Sequence, residues 1–219
     1  MAGGLFASGA LTALFAMALA PPSTSQDVPT TPQPPAERIR VEVATVNGSG
    51  CREGTVAVAA APDNSAFTVT YSDYLASAGE QSDPVDFRKN CQLSLIVHAP
   101  VDYTYAIASV DYRGYASLQS GANGVEKASY YFQGSPDTTS ESHRWRGPYA
   151  DNWQATDSKP WEDLDWAPCG SRRNLNVNTE LRVLLGSSDP GRTSFMTMDS
   201  TDAKVSSVYR LAWKPCPGK

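Results

Sequence analysis

The chain has 219 residues, of which 41% are hydrophobic, and it carries a mild formal charge of −5. This composition excludes a disordered chain and an integral membrane protein, and it suits one globular domain with a sizeable core. Basic residues occur singly or in pairs such as Arg172-Arg173, so the chain lacks the basic stripe that a nucleic-acid-binding protein needs.

The first twenty residues (1–20) predict a signal peptide. They contain an uncharged apolar run that ends in the sequence Ala-Leu-Ala, a small-x-small cleavage pattern. The run is too short to span a bilayer comfortably, and no later apolar run is long enough. No Lys or Arg precedes the run and Pro21 follows it, so cleavage after Ala18 or after Ser25 stays open. We expect a secreted, extracellular protein that has no membrane attachment after cleavage.

A Pro-rich segment follows the predicted signal peptide. Residues 21–37 hold six prolines and almost no apolar side chains, which predicts an extended, disordered linker. From Arg38 onward polar and apolar residues alternate, as they do in a half-buried strand. The sequence therefore predicts a single folded domain over residues 38–219.

This domain is predicted to contain about ten short strands separated by turn residues. The main candidates cover residues 38–43, 55–60, 66–71, 91–99, 103–118, 126–133, 174–185, 194–198 and 205–213. The clearest alternation is in 174–185, where apolar positions such as Leu181 face the core and polar positions such as Asn176 face water. Gly114 is expected to mark a bulge or a close approach, and a tight turn is expected at 199–204. No stretch has a helical period, so we predict an all-β, two-sheet antiparallel β-sandwich, jelly-roll-like in architecture.

Four cysteines occur, at positions 51, 91, 169 and 216. An even number in a secreted chain predicts two disulfides, for which three connectivities are possible. We predict Cys51–Cys91 and Cys169–Cys216, because each pair joins neighbours in chain order and each cysteine lies at a predicted strand edge. The spacing contains no CxxC pair and the two histidines are remote, so neither a metal nor a cofactor is expected.

Several short segments carry a resemblance to a known family. They are 88–93 (RKNCQL), 112–116 (YRGYA), 128–132 (ASYYF), 166–170 (WAPCG), 175–179 (LNVNT) and 213–216 (WKPC). In this order they resemble the secreted proteins grouped as domain-of-unknown-function family 4360, over about residues 45–216. The resemblance implies secretion and a β-sandwich, and it supplies neither a substrate nor catalytic residues.

Catalytic motifs are weak. The chain has no GxSxG nucleophile elbow, and both histidines suit structural or surface positions. The acidic segment with Glu162, Asp163 and Asp165 is the one candidate for the paired carboxylates of a glycosidase. A secreted hydrolase that uses these residues is therefore our second hypothesis. A structural protein of the extracellular matrix is the third.

The leading hypothesis is a non-catalytic, monomeric extracellular binding module for a glycan or a protein. Four of the five tryptophans lie between residues 145 and 166, and flat aromatic faces beside polar groups are typical of sugar-stacking and protein-anchoring surfaces. Trp153 and Trp166 match positions in the family that the chain resembles, which implies that they are core residues. The candidate ligand-binding residues are Trp145, Tyr149, Trp161, Asp163 and Asp165. Two carboxylates in one pocket would favour an enzyme, whereas an exposed tryptophan patch would favour binding.

One N-glycosylation sequon is present, Asn47-Gly48-Ser49, beside a predicted turn. In a eukaryotic source Asn47 is expected to carry a glycan, and in a bacterial source the motif is incidental.

Overall fold

The computed structural model describes residues 33–198 and 207–218. Twelve strands lie in these residues: β1 (Arg40–Asn47), β2 (Val56–Ala60), β3 (Ala66–Tyr71), β4 (Leu75–Ala78), β5 (Arg88–His98), β6 (Tyr103–Leu118), β7 (Asn123–Phe132), β8 (Thr139–Arg146), β9 (Tyr149–Ser158), β10 (Leu175–Leu184), β11 (Ser194–Thr197) and β12 (Ser207–Pro215). One short 3-10 helix covers Trp161–Asp163. The predicted signal peptide, most of the Pro-rich segment and the predicted turn at 199–204 lie outside the described residues.

The strands form two antiparallel sheets. The first has the order β1-β5-β10-β7-β8. The second has the order β2-β3-β12-β6-β11-β4, and β9 pairs with the other side of β6. The prediction of an all-β, two-sheet antiparallel sandwich is confirmed.

Strand β10 shows how the sequence directs the core. Its side chains alternate strictly: Leu175, Val177, Thr179, Leu181 and Val183 are buried, and the residues between them face outward or are half-buried. Because successive side chains of a strand point to opposite faces, one face of β10 enters the core over its whole length.

The core is rich in aromatic rings. Phe67 of β3 stacks on Tyr209 of β12 with ring centroids 4.8 Å apart, and both side chains are fully buried. Such pairs add to the apolar area that each ring buries, which is large. The second sheet therefore supplies much of the core as large rings.

Strand β6 is the long central strand of the second sheet. It pairs with β12 and β11 on one side and with β9 on the other. Gly114 lies where these neighbours crowd: a Cβ there would sit 1.9 Å from the carbonyl oxygen of Thr197 and 2.7 Å from the Trp153 ring. The expected close approach at Gly114 is confirmed. The irregularity in the pairing of β6 with β12 lies on β12 instead, as a register shift between Arg210 and Leu211.

Three strands were not among the predicted ones, namely β4, β8 and β9. The last two form consecutive edge strands: β8 ends the first sheet and β9 flanks β6 in the second. No strand was predicted over residues 139–158, which contain these two strands. Their inward positions carry polar side chains such as His143 and Asp157, which hides the apolar alternation of a strand.

Asn64 anchors the beginning of the described chain. Its side-chain amide donates to the carbonyl oxygens of Pro35 and Glu37, both at 2.7 Å, and its Oδ1 accepts from the Ile39 amide at 3.0 Å. The backbone carbonyl of Asn64 accepts from the indole of Trp213 at 2.8 Å. The part of the chain that contacts the sandwich thus begins before Arg38, inside the segment predicted to be disordered.

Two disulfides are present, Cys51–Cys91 and Cys169–Cys216. The first ties the chain after β1 to β5, and the second ties the loop after Trp166 to the end of β12. These are the two pairs predicted from chain order.

Candidate functional site

The open side of the sandwich between β8 and β9 is closed by four side chains, His143, Trp145, Trp153 and Asp157, which we call the seam. Trp145 is half-buried, and its ring centroid lies 4.8 Å from that of Trp153. Trp153 is 2% exposed and its indole donates to the Thr197 carbonyl at 3.1 Å. Trp153 is a core residue, as expected, whereas Trp145 packs against it instead of standing free in solvent.

The seam also contains an acid–imidazole pair. His143 Nε2 lies 2.6 Å from Asp157 Oδ1, and the second carboxylate oxygen of Asp157 is buried without a hydrogen-bond partner among the described residues. Burial raises the pKa of Asp157, and the hydrogen bond from His143 opposes this only in part. The pair therefore links the two sheet edges at a low-dielectric position.

Inward of the seam lies Glu126, which pairs in register with His143 on the neighbouring strand. Glu126 is 0% exposed, and neither of its carboxylate oxygens has a hydrogen-bond partner in the described residues. Burial, with a smaller contribution from the charge of Asp157, raises the pKa of Glu126 well above its ordinary value. Protonation is the inexpensive way to hold such a carboxyl in a core.

Four buried tyrosines share this interior, and together with Glu126 they form what we call the interior cluster. They are Tyr71, Tyr112, Tyr130 and Tyr209, whose hydroxyls are buried without hydrogen bonds of normal geometry in the described residues. Burial raises the pKa of each, so every hydroxyl keeps its proton. General acid–base chemistry needs a proton path to a bound substrate, and Glu126 is sealed from solvent. The interior cluster thus bears on stability and not on catalysis.

A different corner of the sandwich presents aromatic surface. Trp161 is 43% exposed, and its ring meets that of Trp166 edge-on with centroids 4.9 Å apart. Lys214 Nζ lies 4.0 Å from the centroid of the Trp166 ring. We call Trp161, Trp166 and Lys214 the tryptophan platform. The attraction between the Lys214 ammonium and the Trp166 ring is a cation–π contact, and it helps to hold the Trp166 ring in place.

The predicted carboxylates near the platform do not converge. Asp163 is exposed. Asp165 is half-buried and accepts from Lys159 Nζ at 2.7 Å and from Thr139 Oγ1 at 3.2 Å. The main cavities of the described chain are lined by residues other than Glu162, Asp163, Asp165 and Asp157. The paired-carboxylate geometry of a glycosidase is therefore not formed by these side chains.

Trp145 and Tyr149 lie at the opposite end of the sandwich from the platform. Tyr149 pairs with Leu118, and Trp166 bridges to Ala106. These partners are twelve residues apart on β6, a span of about 40 Å at roughly 3.3 Å per residue. Tyr149 also donates its hydroxyl proton to the backbone carbonyl of Asn152 on the same strand, at 2.7 Å. The five predicted ligand-binding residues thus divide into two separate groups. Trp161 belongs to the platform, and Asp163 and Asp165 follow it closely in the chain.

Sequence reasoning missed the interior cluster, although one signal was present. Glu126 occupies the same strand face as Ala128, Tyr130 and Phe132, all of which are buried. A carboxylate that extends an apolar face in strict alternation is placed in the core by the strand geometry. The alternation therefore pointed to burial of Glu126, against the usual preference of glutamate for solvent.

Two further structural findings concern metals and membranes. In residues 33–198 and 207–218 no group of three or more His, Cys, Asp or Glu side chains is arranged to hold a metal ion. In the same residues no helix has the length and apolar character needed to cross a bilayer.

The fold and the site together define a disulfide-bonded, secreted-type β-sandwich with an aromatic corner and a sealed acidic interior. Residues 37–216 match the family model described as Domain of unknown function (DUF4360), so the chain belongs to this family. The family resemblance of the sequence motifs is thereby confirmed.

Two comparisons complete this picture. The chain is 32% identical over 183 residues to an uncharacterized secreted protein of Arthroderma benhamiae, covering 84% of this chain and 74% of the relative. Among solved structures, it is similar to the enzymatically active domain of tailspike protein 4 from bacteriophage CBA120, with 10% identity and a TM-score of 0.25. That match covers 78% of this chain but only 19% of the phage chain. A TM-score this low does not establish a shared fold.

Proposed function

We propose that this protein is a secreted, non-catalytic binding module that recognises an extracellular glycan through the tryptophan platform. Secretion is supported by the signal-like first twenty residues, by two disulfides and by the secreted relative. The observation that carries the proposal is the exposed ring of Trp161, which meets the half-buried ring of Trp166 edge-on.

The physical basis is the desolvation of apolar rings. A sugar ring has an apolar face that packs on an indole, while its hydroxyls bond to neighbouring polar groups. Trp161 offers such a face, and its ring packs edge-on against Trp166, over whose ring Lys214 lies. Asp163 stands exposed two residues away and supplies acceptor oxygens. Preorganised rings of this kind lose little rotamer entropy on binding.

Substitution of Trp161 tests the platform. The Trp161→Ala variant is expected to stay folded and to lose about 1–4 kcal/mol of binding free energy, the range of an interface anchor. Retention on insoluble chitin, cellulose, β-1,3-glucan and xylan is measured by depletion of the purified mature protein. The matched control is Phe87→Ala, since Phe87 is 41% exposed against 43% for Trp161 and directly precedes β5.

The expected result is reduced retention for Trp161→Ala on a polysaccharide that holds the wild type and Phe87→Ala equally. Equal retention of all three proteins would mean that the binding site lies elsewhere on the protein. Failure of the wild type to bind any of the four polysaccharides, or any glycan on an array, would contradict glycan recognition.

Secretion through a eukaryotic pathway has a separate test at Asn47. Asn47 is exposed at the end of β1, so a glycan attached to its side chain would extend into solvent. After secretion from a eukaryotic host, the protein is expected to lose mass on treatment with peptide N-glycosidase. The Asn47→Gln variant is expected to show no mass change. An unshifted wild-type mass would mean that this sequon is not used.

A further inference from the structure

A groove of about 190 Å³ lies next to the tryptophan platform. One wall is the chain between β5 and β6, and the other is the segment that follows Trp166. Its lining includes Val101, Tyr103, Tyr105, Pro168, Arg172 and Arg173. The volume corresponds to about six water molecules at roughly 30 Å³ each. It therefore suits a single small residue of a larger ligand.

The charged side chains that line the groove are basic, with no acidic ones among them. Both arginines are exposed and neither forms an ion pair within the described residues, and no Asp or Glu lines the groove. His98 also lines it, but Glu42 lies 3.2 Å from His98 Nε2 and binds Arg40 as well. The net positive charge of the groove therefore comes from Arg172 and Arg173.

Two further details indicate a built site. Tyr105 lines the groove and is 4% exposed, so it forms a fixed part of the groove wall. Gly134 leaves room for the Arg173 side chain, because a Cβ there would lie 3.0 Å from Nη1 of Arg173. Gly134 has a φ of +78°, so a larger residue is disfavoured by its backbone as well. The turn after β7 thus accommodates the guanidinium.

We propose that this groove binds the carboxylate of an acidic sugar residue, a hexuronate, within the glycan that packs on the tryptophan platform. The proposal rests on the proposed function and names its ligand class. A guanidinium presents a planar fork of N–H donors that matches a carboxylate, which makes paired arginines suited to this group. Ala167, the residue directly after Trp166, lies in the groove wall, so neighbouring residues of one oligosaccharide reach both features.

The test uses calorimetric titration of the purified mature protein with tetragalacturonate and with its methyl-esterified, uncharged counterpart. Tetragalacturonate is expected to bind at least about tenfold more tightly, as expected for hydrogen bonds to a charged group. The double variant Arg172→Gln/Arg173→Gln is expected to remove this preference. The matched control is Arg144→Gln/Arg146→Gln, which removes the same charge from two exposed positions on β8. It is expected to bind tetragalacturonate as the wild type does.

Three outcomes would overturn the proposal. Equal affinity for the acid and its ester means that the groove does not recognise charge. Equal losses in the two double variants mean that only the overall charge of the protein matters. Binding of a free-acid tetrapeptide, but not of tetragalacturonate, in an Arg172- and Arg173-dependent manner identifies a peptide carboxylate as the ligand.

The two proposals fail independently. If Trp161→Ala abolishes retention on a neutral polysaccharide while the groove variant leaves tetragalacturonate affinity unchanged, the platform stands and the acidic ligand is wrong. If the groove variant loses the acid preference while Trp161→Ala binds every glycan as the wild type does, the platform is wrong and the carboxylate site remains.

Discussion

Replacing Glu126 by Gln is expected to flatten the pH dependence of unfolding above about pH 4.5. Burial raises the pKa of Glu126 in the folded state well above its ordinary value of 4.5. Below pH 4.5 the carboxyl is protonated in both the folded and the unfolded chain, so it adds no pH dependence. Above pH 4.5 the unfolded chain releases the proton while the folded chain keeps it. The free energy of unfolding then falls by up to about 1.4 kcal/mol per pH unit, until the raised pKa is reached.

The wild type alone is expected to show this loss, because the Glu126→Gln variant cannot ionise at this position. Urea unfolding of both proteins at pH 4.5, 5.5 and 6.5 measures the difference. Asp157, whose pKa is also raised, stays in both proteins and contributes with the same sign. The control Glu162→Gln removes an exposed carboxyl and is expected to keep the wild-type slope. Parallel curves for wild type and Glu126→Gln would mean that Glu126 is ionised in the fold.

Leu181→Ala is expected to cost about 2–5 kcal/mol of unfolding free energy, the usual cost of a cavity in a packed core. Leu181 is 0% exposed and lies on β10, the central strand of the first sheet. Leu181 pairs with Glu126 on β7 and with Lys89 on β5. Neither strand can move into the cavity left by the substitution without breaking this register.

The matched control for Leu181→Ala is Asn176→Ala on the same strand. Asn176 is half-buried and points to the other face, so its loss is expected to cost less than about 1 kcal/mol. Chemical denaturation at constant pH measures both variants. Equal destabilisation would show that the outward face of β10 contributes to packing as much as the inward face.

Much of the fold was accessible from the sequence because most strands carry apolar residues on one face. In β10 every second residue is apolar or Thr, and β3 places Phe67, Val69 and Tyr71 inward. Strand β8 lacks this signal, since its inward side includes His143 and a merely half-buried Trp145. Polar residues at inward positions are permitted there because the seam pairs His143 with Asp157 across two sheets, a contact that local sequence cannot show.

The candidate site was predictable only in part, and for a related reason. The exposure of Trp161 follows from its acidic neighbours in a short turn-like segment, and the structure places it at the surface. The separation of Trp161 from Trp145 depends on the pairing of β9 with β6, which joins residues about forty positions apart in the chain. The two walls of the groove contain Val101 and Arg172, which are far apart in the chain. Their proximity depends on the second sheet and on the disulfide of Cys169.

The loop between β9 and β10 has a consequence for how this family can diversify. It is attached through the Trp166–Ala106 bridge, the hydrogen bond from the Ala167 amide to the Tyr105 carbonyl and the disulfide of Cys169. The exposed side chains of Trp161, Arg172 and Arg173 take no part in these attachments. Substitutions at such positions are expected to carry little folding penalty, so the proposed ligand-contacting surface can change while the sandwich is retained.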